Sequence, residues 1–156
     1  MRVYSNFLAA QTAEDLMSRD VVAVPRNMSA RAAVDLLTRA RIGGAPVVDD
    51  DGRCVGVVSL SDLARDPRRP GEARPVPGCV CSEWQVVSTT DAPRDAVCCH
   101  MTADPVTVPP FATVGEMARK MVNAHIHRLI VVDEENRPVG VVSSTDILAA
   151  LARAGE

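Results

Sequence analysis

A gapless internal repeat constrains this chain more than any other feature does. Gly56-Val57-Val58-Ser59-Leu60-Ser61-Asp62 returns as Gly140-Val141-Val142-Ser143-Ser144-Thr145-Asp146. The same offset lays residues 17–65 on 101–149, with about a third of the aligned positions identical. Taken once, the heptapeptide reads as a buried-type strand running into a helix start, with Ser/Thr and Asp as capping residues. It recurs in register with Met17-Ser18 and Met101-Thr102, and with Val24-Pro25 and Val108-Pro109, which calls for a repeated structural unit.

Each copy reads as β-α-β-β-α. In the first, Thr12 caps a short helix, residues 21–24 form an apolar strand stopped by Pro25, and Ser29 caps a helix over 30–41. That helix sets Ala33, Val34, Leu37 and Ala40 on one face. Gly43-Gly44 ends it, strands over 45–48 and 54–58 form a hairpin around Asp49-Asp50-Asp51-Gly52, and 61–65 opens a second helix that Pro67 cuts short. The second copy predicts a strand over 106–108, a helix over 114–124 that buries Val114, Met117, Ala118, Met121 and Val122, strands over 129–132 and 139–142, and a helix over 147–154.

The chain therefore divides into a first repeat at 12–65, a linker and insert at 66–96, and a second repeat at 97–154. Residues 68–78 are rich in Pro, Gly and Arg, whereas 79–89, with Trp84, Val86 and Val87, have the character of a segment that packs on the body of the protein. The fold class is α/β of the α+β kind. A copy of about 50 residues buries too little apolar surface alone, so the two are expected to pack sheet to sheet about a pseudo-twofold axis, leaving clefts suited to small molecules.

Composition narrows the function. With 47% hydrophobic and 24% charged residues the chain is of the soluble globular kind, and one Trp, one Tyr and two Phe leave an aliphatic core. A net charge of −3 gives no footprint for nucleic acid. No apolar run approaches the roughly 20 residues of a membrane helix, and residues 1–11 do not read as a signal peptide. Five cysteines, an odd number, point to a reducing cytoplasm. Enzyme chemistry finds no support: there is no Gly-rich phosphate loop and no Ser-His-Asp or Cys-His arrangement of suitable spacing.

The repeated residues resemble the cystathionine-β-synthase (CBS) domain, which occurs as tandem pairs called Bateman modules. The resemblance rests on Met-Ser/Thr ahead of the first strand, the strand ending in Pro, Ala45-Pro46-Val47-Val48-Asp49 with Leu129-Ile130-Val131-Val132-Asp133, and the Gly-Val-Val-Ser-x-Ser/Thr-Asp endings. Through His127-Arg128 and the 129–133 and 140–148 stretches, the second copy is similar to repeats of the γ-subunit of AMP-activated protein kinase. The resemblance implies a regulatory, energy-sensing module that binds an adenine nucleotide such as AMP, ADP or ATP, requires no cofactor, forms a homodimer, and signals to an unknown effector or its own oligomer. It implies one site lined by Ser18, Val21 and Ala23 and completed by Ser143, Thr145 and Asp146. A second would be lined by Thr102, Pro105 and Thr107 and completed by Ser59, Ser61 and Asp62.

The residue chemistry agrees. A carboxylate accepts from vicinal ribose hydroxyls, a helix opening offers N–H groups to phosphate, and His127 with Arg128 adds positive charge. Gly43-Gly44 stands where the second copy has His127-Arg128, so the two sites are expected to be unequal.

Competing readings attach to the same residues. Asp62 and Asp146 are also good caps, and the neighbouring hydroxyls also suit local turns. Cys79 and Cys81 with Cys98, Cys99 and His100 suggest a zinc-stapled insert in a structural or interaction module. Structural zinc sites use two-residue spacings that neither pair has, and cysteines pack well as small hydrophobes, so no metal site is assigned. His125 and His127, with no acid cluster nearby, do not make one either.

Overall fold

The computed structural model describes residues 10–65 and 95–154. Cys79, Cys81, Trp84, Val86 and Val87 lie outside the described residues, and so do the expectations placed on them. In chain order the elements are α1 (Ala13–Leu16), β1 (Val24–Pro25), α2 (Ala30–Arg39), β2 (Gly44–Val48), β3 (Cys54–Ser59), α3 (Leu60–Leu63), a 3-10 turn (Val97–Cys99), β4 (Thr102–Ala103), β5 (Thr107–Val108), α4 (Val114–Ala124), β6 (Arg128–Val132), β7 (Pro138–Ser143) and α5 (Ser144–Ala154). Both repeats follow the expected series, and the class is α+β.

Two compact units form, and they are cut differently from the sequence repeats. Unit one joins Met1–Val21 to Val106–Glu156, and unit two is Val22–Pro105. Each unit thus holds the hairpin of one repeat together with the segment that leads into the other. In unit two the sheet order is β1-β2-β3-β4, with β1 parallel to β2 and the other pairs antiparallel. Its core gathers Val24, Leu37, Val47 and Val58, and Ala96 with Val97 and Cys98 of the 3-10 turn adds to it. In unit one the order is β5-β6-β7, and the core of Val108, Met117, Leu129, Val131 and Val142 is completed by Ala13 from α1.

Local chemistry accounts for the match between copies. In both hairpins an aspartate turns the chain: Asp49 Oδ1 accepts from the N–H groups of Asp51 and Arg53 at 3.0 and 2.9 Å, and Asp133 Oδ1 from those of Glu135 and Arg137 at 3.0 and 2.8 Å. The left-handed residue of each turn is Gly52 (φ 79°) or its counterpart Asn136 (φ 63°), two residue types that tolerate that conformation. Ser29 and Thr113 cap α2 and α4 as their spacing predicts. Around Thr113 the box is reciprocal, and the Thr113 N–H and hydroxyl hold the Glu116 carboxyl below the usual glutamate range.

The structure departs from expectation in three places. The strand expected over 21–24 shrinks to β1, because only Val24 and Pro25 pair with β2 and the Val21 N–H turns back to the Arg19 carbonyl at 2.9 Å. The last helix, expected over 147–154, starts earlier, so that α5 runs for 11 residues from Ser144, whereas the second helix of the first copy is short as expected, the single turn α3. Val122 is 70% exposed, not buried: one residue beyond Met121, it is rotated about 100° off the face that Met117 and Met121 share.

Candidate functional site

The repeated Ser-x-x-Asp ending folds into the same turn twice. In unit one the Ser143 N–H and hydroxyl both donate to Asp146 Oδ2, at 2.7 and 2.6 Å, and the Asp146 N–H returns to Ser143 Oγ at 3.2 Å. In unit two Ser59 and Asp62 repeat this at 2.9, 2.7 and 3.2 Å. These are capping boxes with Asp in the role usually taken by Glu or Gln. Each serine has committed its one hydroxyl proton, so Ser59 and Ser143 have none left to donate to a ligand. Among the described residues the other carboxylate oxygen of Asp62 and of Asp146 has no partner, and both side chains are only partly buried. Each turn therefore presents one oriented carboxylate oxygen, suited to a hydroxyl donor.

The helix openings offer less than expected. The Ser144 N–H goes to the His127 carbonyl at 2.9 Å and the Asp146 N–H to Ser143, leaving Thr145 as the spare donor of the first three. In unit two the Leu60 N–H goes to the Gly43 carbonyl at 3.0 Å and the Asp62 N–H to Ser59, leaving Ser61. Thr145 and Ser61 are both exposed. In each unit the helix opening thus keeps few spare backbone donors.

Arg128 opens β6 directly across the antiparallel ladder from Ser143, and His127 precedes it. Both are exposed, and among the described residues neither side chain has a hydrogen-bond or ion-pair partner. Gly44 takes the position of Arg128 in unit two, across from Ser59. A Cβ on Gly44 would stand 2.9 Å from the Val58 carbonyl oxygen, whereas Gly43 has open space around it.

The leading segments complete each unit. Ser18 exchanges backbone hydrogen bonds with Val141 at 3.0 and 3.1 Å, two residues from Ser143. In unit two Thr102 and Ala103 pair with Val57 and Gly56 in the same fashion. Unit one thus contains Ser18, Val21, His127, Arg128, Ser143, Thr145 and Asp146, and unit two Ser59, Ser61, Asp62, Thr102 and Pro105. Ala23 belongs to unit two and Thr107 to unit one, apart in this division from the residues grouped with them in the sequence.

Sequence reasoning missed how two of its own motifs meet. A side chain on Gly140 would overlap Met17, and a Cβ on Gly56 would lie 2.7 Å from Met101 Sδ and 2.8 Å from the Thr102 carbonyl oxygen. Each methionine occupies the space its glycine leaves open and so sets the register of the leading segment. The signal was available, since Met-Ser/Thr and Gly-Val-Val recur together.

This geometry has known relatives. Residues 13–68 and 94–153 match the family model of the CBS domain. The chain belongs to the CBS domain family. It is 27% identical over 151 residues to an uncharacterised protein of Methanocaldococcus jannaschii, covering 88% of this chain and 89% of that one. It is 28% identical to the γ-3 subunit of 5'-AMP-activated protein kinase of Sus scrofa, covering 85% of this chain but only 24% of the subunit. Among solved structures, the cytosolic domain of the Mg²⁺ channel MgtE in complex with ATP superposes with a TM-score of 0.68 at 29% identity, covering 95% of this chain and 51% of that one. The CBS pair here carries, among the described residues, no helix long and apolar enough to cross a membrane and no group of three or more His, Cys, Asp or Glu arranged to hold a metal.

Proposed function

We propose that this CBS pair is a regulatory module that binds an adenine nucleotide in unit one, with Asp146 on the ribose hydroxyls and His127 and Arg128 on the phosphates. One observation carries the reading: an oriented, partly unsatisfied carboxylate at Asp146 stands one helix turn from Ser143, which faces a cationic residue lacking any described protein partner. A carboxylate acceptor beside cationic donors is the charge pattern of a nucleoside phosphate. The ATP held by the similar MgtE cytosolic domain supports the same ligand class. Ser18 and Val21 line this site from the leading segment, and Ser59, Ser61, Asp62, Thr102 and Pro105 form a second, weaker site in unit two. Ala23 and Thr107 are proposed as further lining residues. The module works as a homodimer in the cytoplasm and passes its ligand state to an effector protein or to its own oligomer. Such signalling requires that two conformations bind the nucleotide with different affinity.

Thermal shift across AMP, ADP, ATP, NAD and S-adenosylmethionine tests the reading, because a ligand that binds only the folded state raises its stability. AMP or ATP is expected to raise Tm in the wild type and not in D146N/D62N. No response to any of them would favour a second reading, that of a structural module. The capping boxes favour that alternative, since they give both aspartates a role without ligand.

A further inference from the structure

His100 is a buried titratable side chain that the proposed nucleotide site leaves without a role. Its side chain is 3% exposed, and its two ring nitrogens face Asp62 and Asp95. Nδ1 lies 3.3 Å from the backbone carbonyl oxygen of Asp62, and Nε2 lies 3.1 Å from Asp95 Oδ1, on a side chain 60% exposed. Both partners, a carbonyl and a carboxylate oxygen, only accept, so each contact needs the facing ring nitrogen as its donor, and the tautomer decides which of the two a neutral ring satisfies. The same carbonyl also accepts from the Arg65 N–H at 3.2 Å.

The contact matters because of where Asp62 sits. Asp146 belongs to an 11-residue helix anchored by buried Ile147 and Ala150, so its turn is held by the helix that follows. Asp62 belongs to a helix of four residues with a single buried anchor, Leu63. One turn of helix has little stability of its own and depends on tertiary contacts. His100 makes such a contact from the leading segment of unit two, three positions beyond buried Val97. Its counterpart in unit one is Leu16, which packs on the apolar core there.

We infer that His100 is a positioning residue: by hydrogen-bonding the Asp62 carbonyl it fixes the short α3 turn and so aims the Asp62 carboxylate. The inference rests on the nucleotide reading only for its consequence at the ligand, not for the clasp itself. The test compares H100L, which installs the apolar residue used in unit one, with H100N, which keeps an N–H for the Asp62 carbonyl. H100L is expected to speed amide exchange over 60–65 while leaving 144–154 unchanged, and H100N to restore slow exchange. In a D146N background, which isolates the unit-two site, H100L is expected to weaken AMP binding about five- to tenfold, with H100N recovering most of it. Wild-type exchange over 60–65 in H100L, or H100N behaving no better than H100L, overturns the inference. If D62N in that background binds AMP as tightly as its parent, the nucleotide reading of unit two fails instead, and the exchange comparison still decides the role of His100.

Discussion

The two units build the same turn and equip it differently. Both close a hairpin with an aspartate-centred turn, seat a methionine over a glycine, and cap the following helix through Ser and Asp. In unit one the turn heads an 11-residue helix and carries His127 and Arg128 beside it. In unit two it heads a four-residue helix, has Gly43-Gly44 in place of the cations, and is clasped by His100. The copies share the backbone frame and the aspartate at its head, and they differ in the cations beside that aspartate. The frame alone is therefore no measure of binding, and the unlike residues make unit one the stronger candidate.

The largest effects should come from breaking the frame itself. G56A and G140A are each expected to destabilise by about 1–3 kcal/mol, as overpacked sites do. They should differ in rescue. At Gly140 the three nearest atoms all belong to the Met17 side chain, and M17A removes Sδ and Cγ but leaves Cβ 2.9 Å away, so it should recover part of the loss in G140A. At Gly56 the Thr102 carbonyl oxygen also stands in the way, so M101A should recover little in G56A. Chemical denaturation of the four single and double variants checks this, and no rescue in either unit would show that the methionines do not define the contact.

A smaller loss should follow from removing the cations. R128A is expected to weaken ATP binding by about tenfold at low salt, in line with charge-assisted hydrogen bonds, and less as salt rises. Its stability should stay near that of the wild type, since Arg128 is exposed and makes no ion pair among the described residues. The reverse experiment transplants charge into unit two. G43H meets open space and should tighten the unit-two site by up to about fivefold, the range of an exposed charge pair, when measured in D146N protein. G44R, whose Cβ would press on the Val58 carbonyl oxygen, should unsettle the hairpin instead.

The smallest expected effect is on acid stability. Glu116, held by the Thr113 N–H and hydroxyl, has its carboxyl lowered, and Asp15 is lowered in the same way by Thr12. A carboxyl whose folded pKa lies below its unfolded one adds stability that is complete above the unfolded value and lost as pH falls through the folded value. E116Q should therefore flatten the fall of Tm below about pH 5 and leave Tm near pH 7 slightly lower, which a thermal series over pH would show.

Much of the frame was legible in the residues, because hairpins and helices announce themselves through periodicity and caps. Helix 114–124 and both hairpins fall where the pattern set them, whereas the strand over 21–24 shortened because an apolar run does not say how much of it finds a pairing partner. The repeat by itself could not show which unit a leading segment completes; the family resemblance grouped Ser18 with Ser143, and Ser18 pairs with Val141, far away in sequence. At the site the Ser-Asp pairs were visible, but not that capping would use the serine hydroxyls and most of the helix-end N–H groups. His100 was legible only as the tail of a Cys-Cys-His run to which no metal site was assigned, and its two oxygen partners could not be read from the sequence.

Calorimetric titration of ATP into D146N and D62N tests the inequality of the two units most directly. The account predicts that D146N abolishes the tighter phase and leaves only weak binding, while D62N retains the tight phase intact. Two equal, independent phases in the wild type, each removed by one of the substitutions, would contradict it.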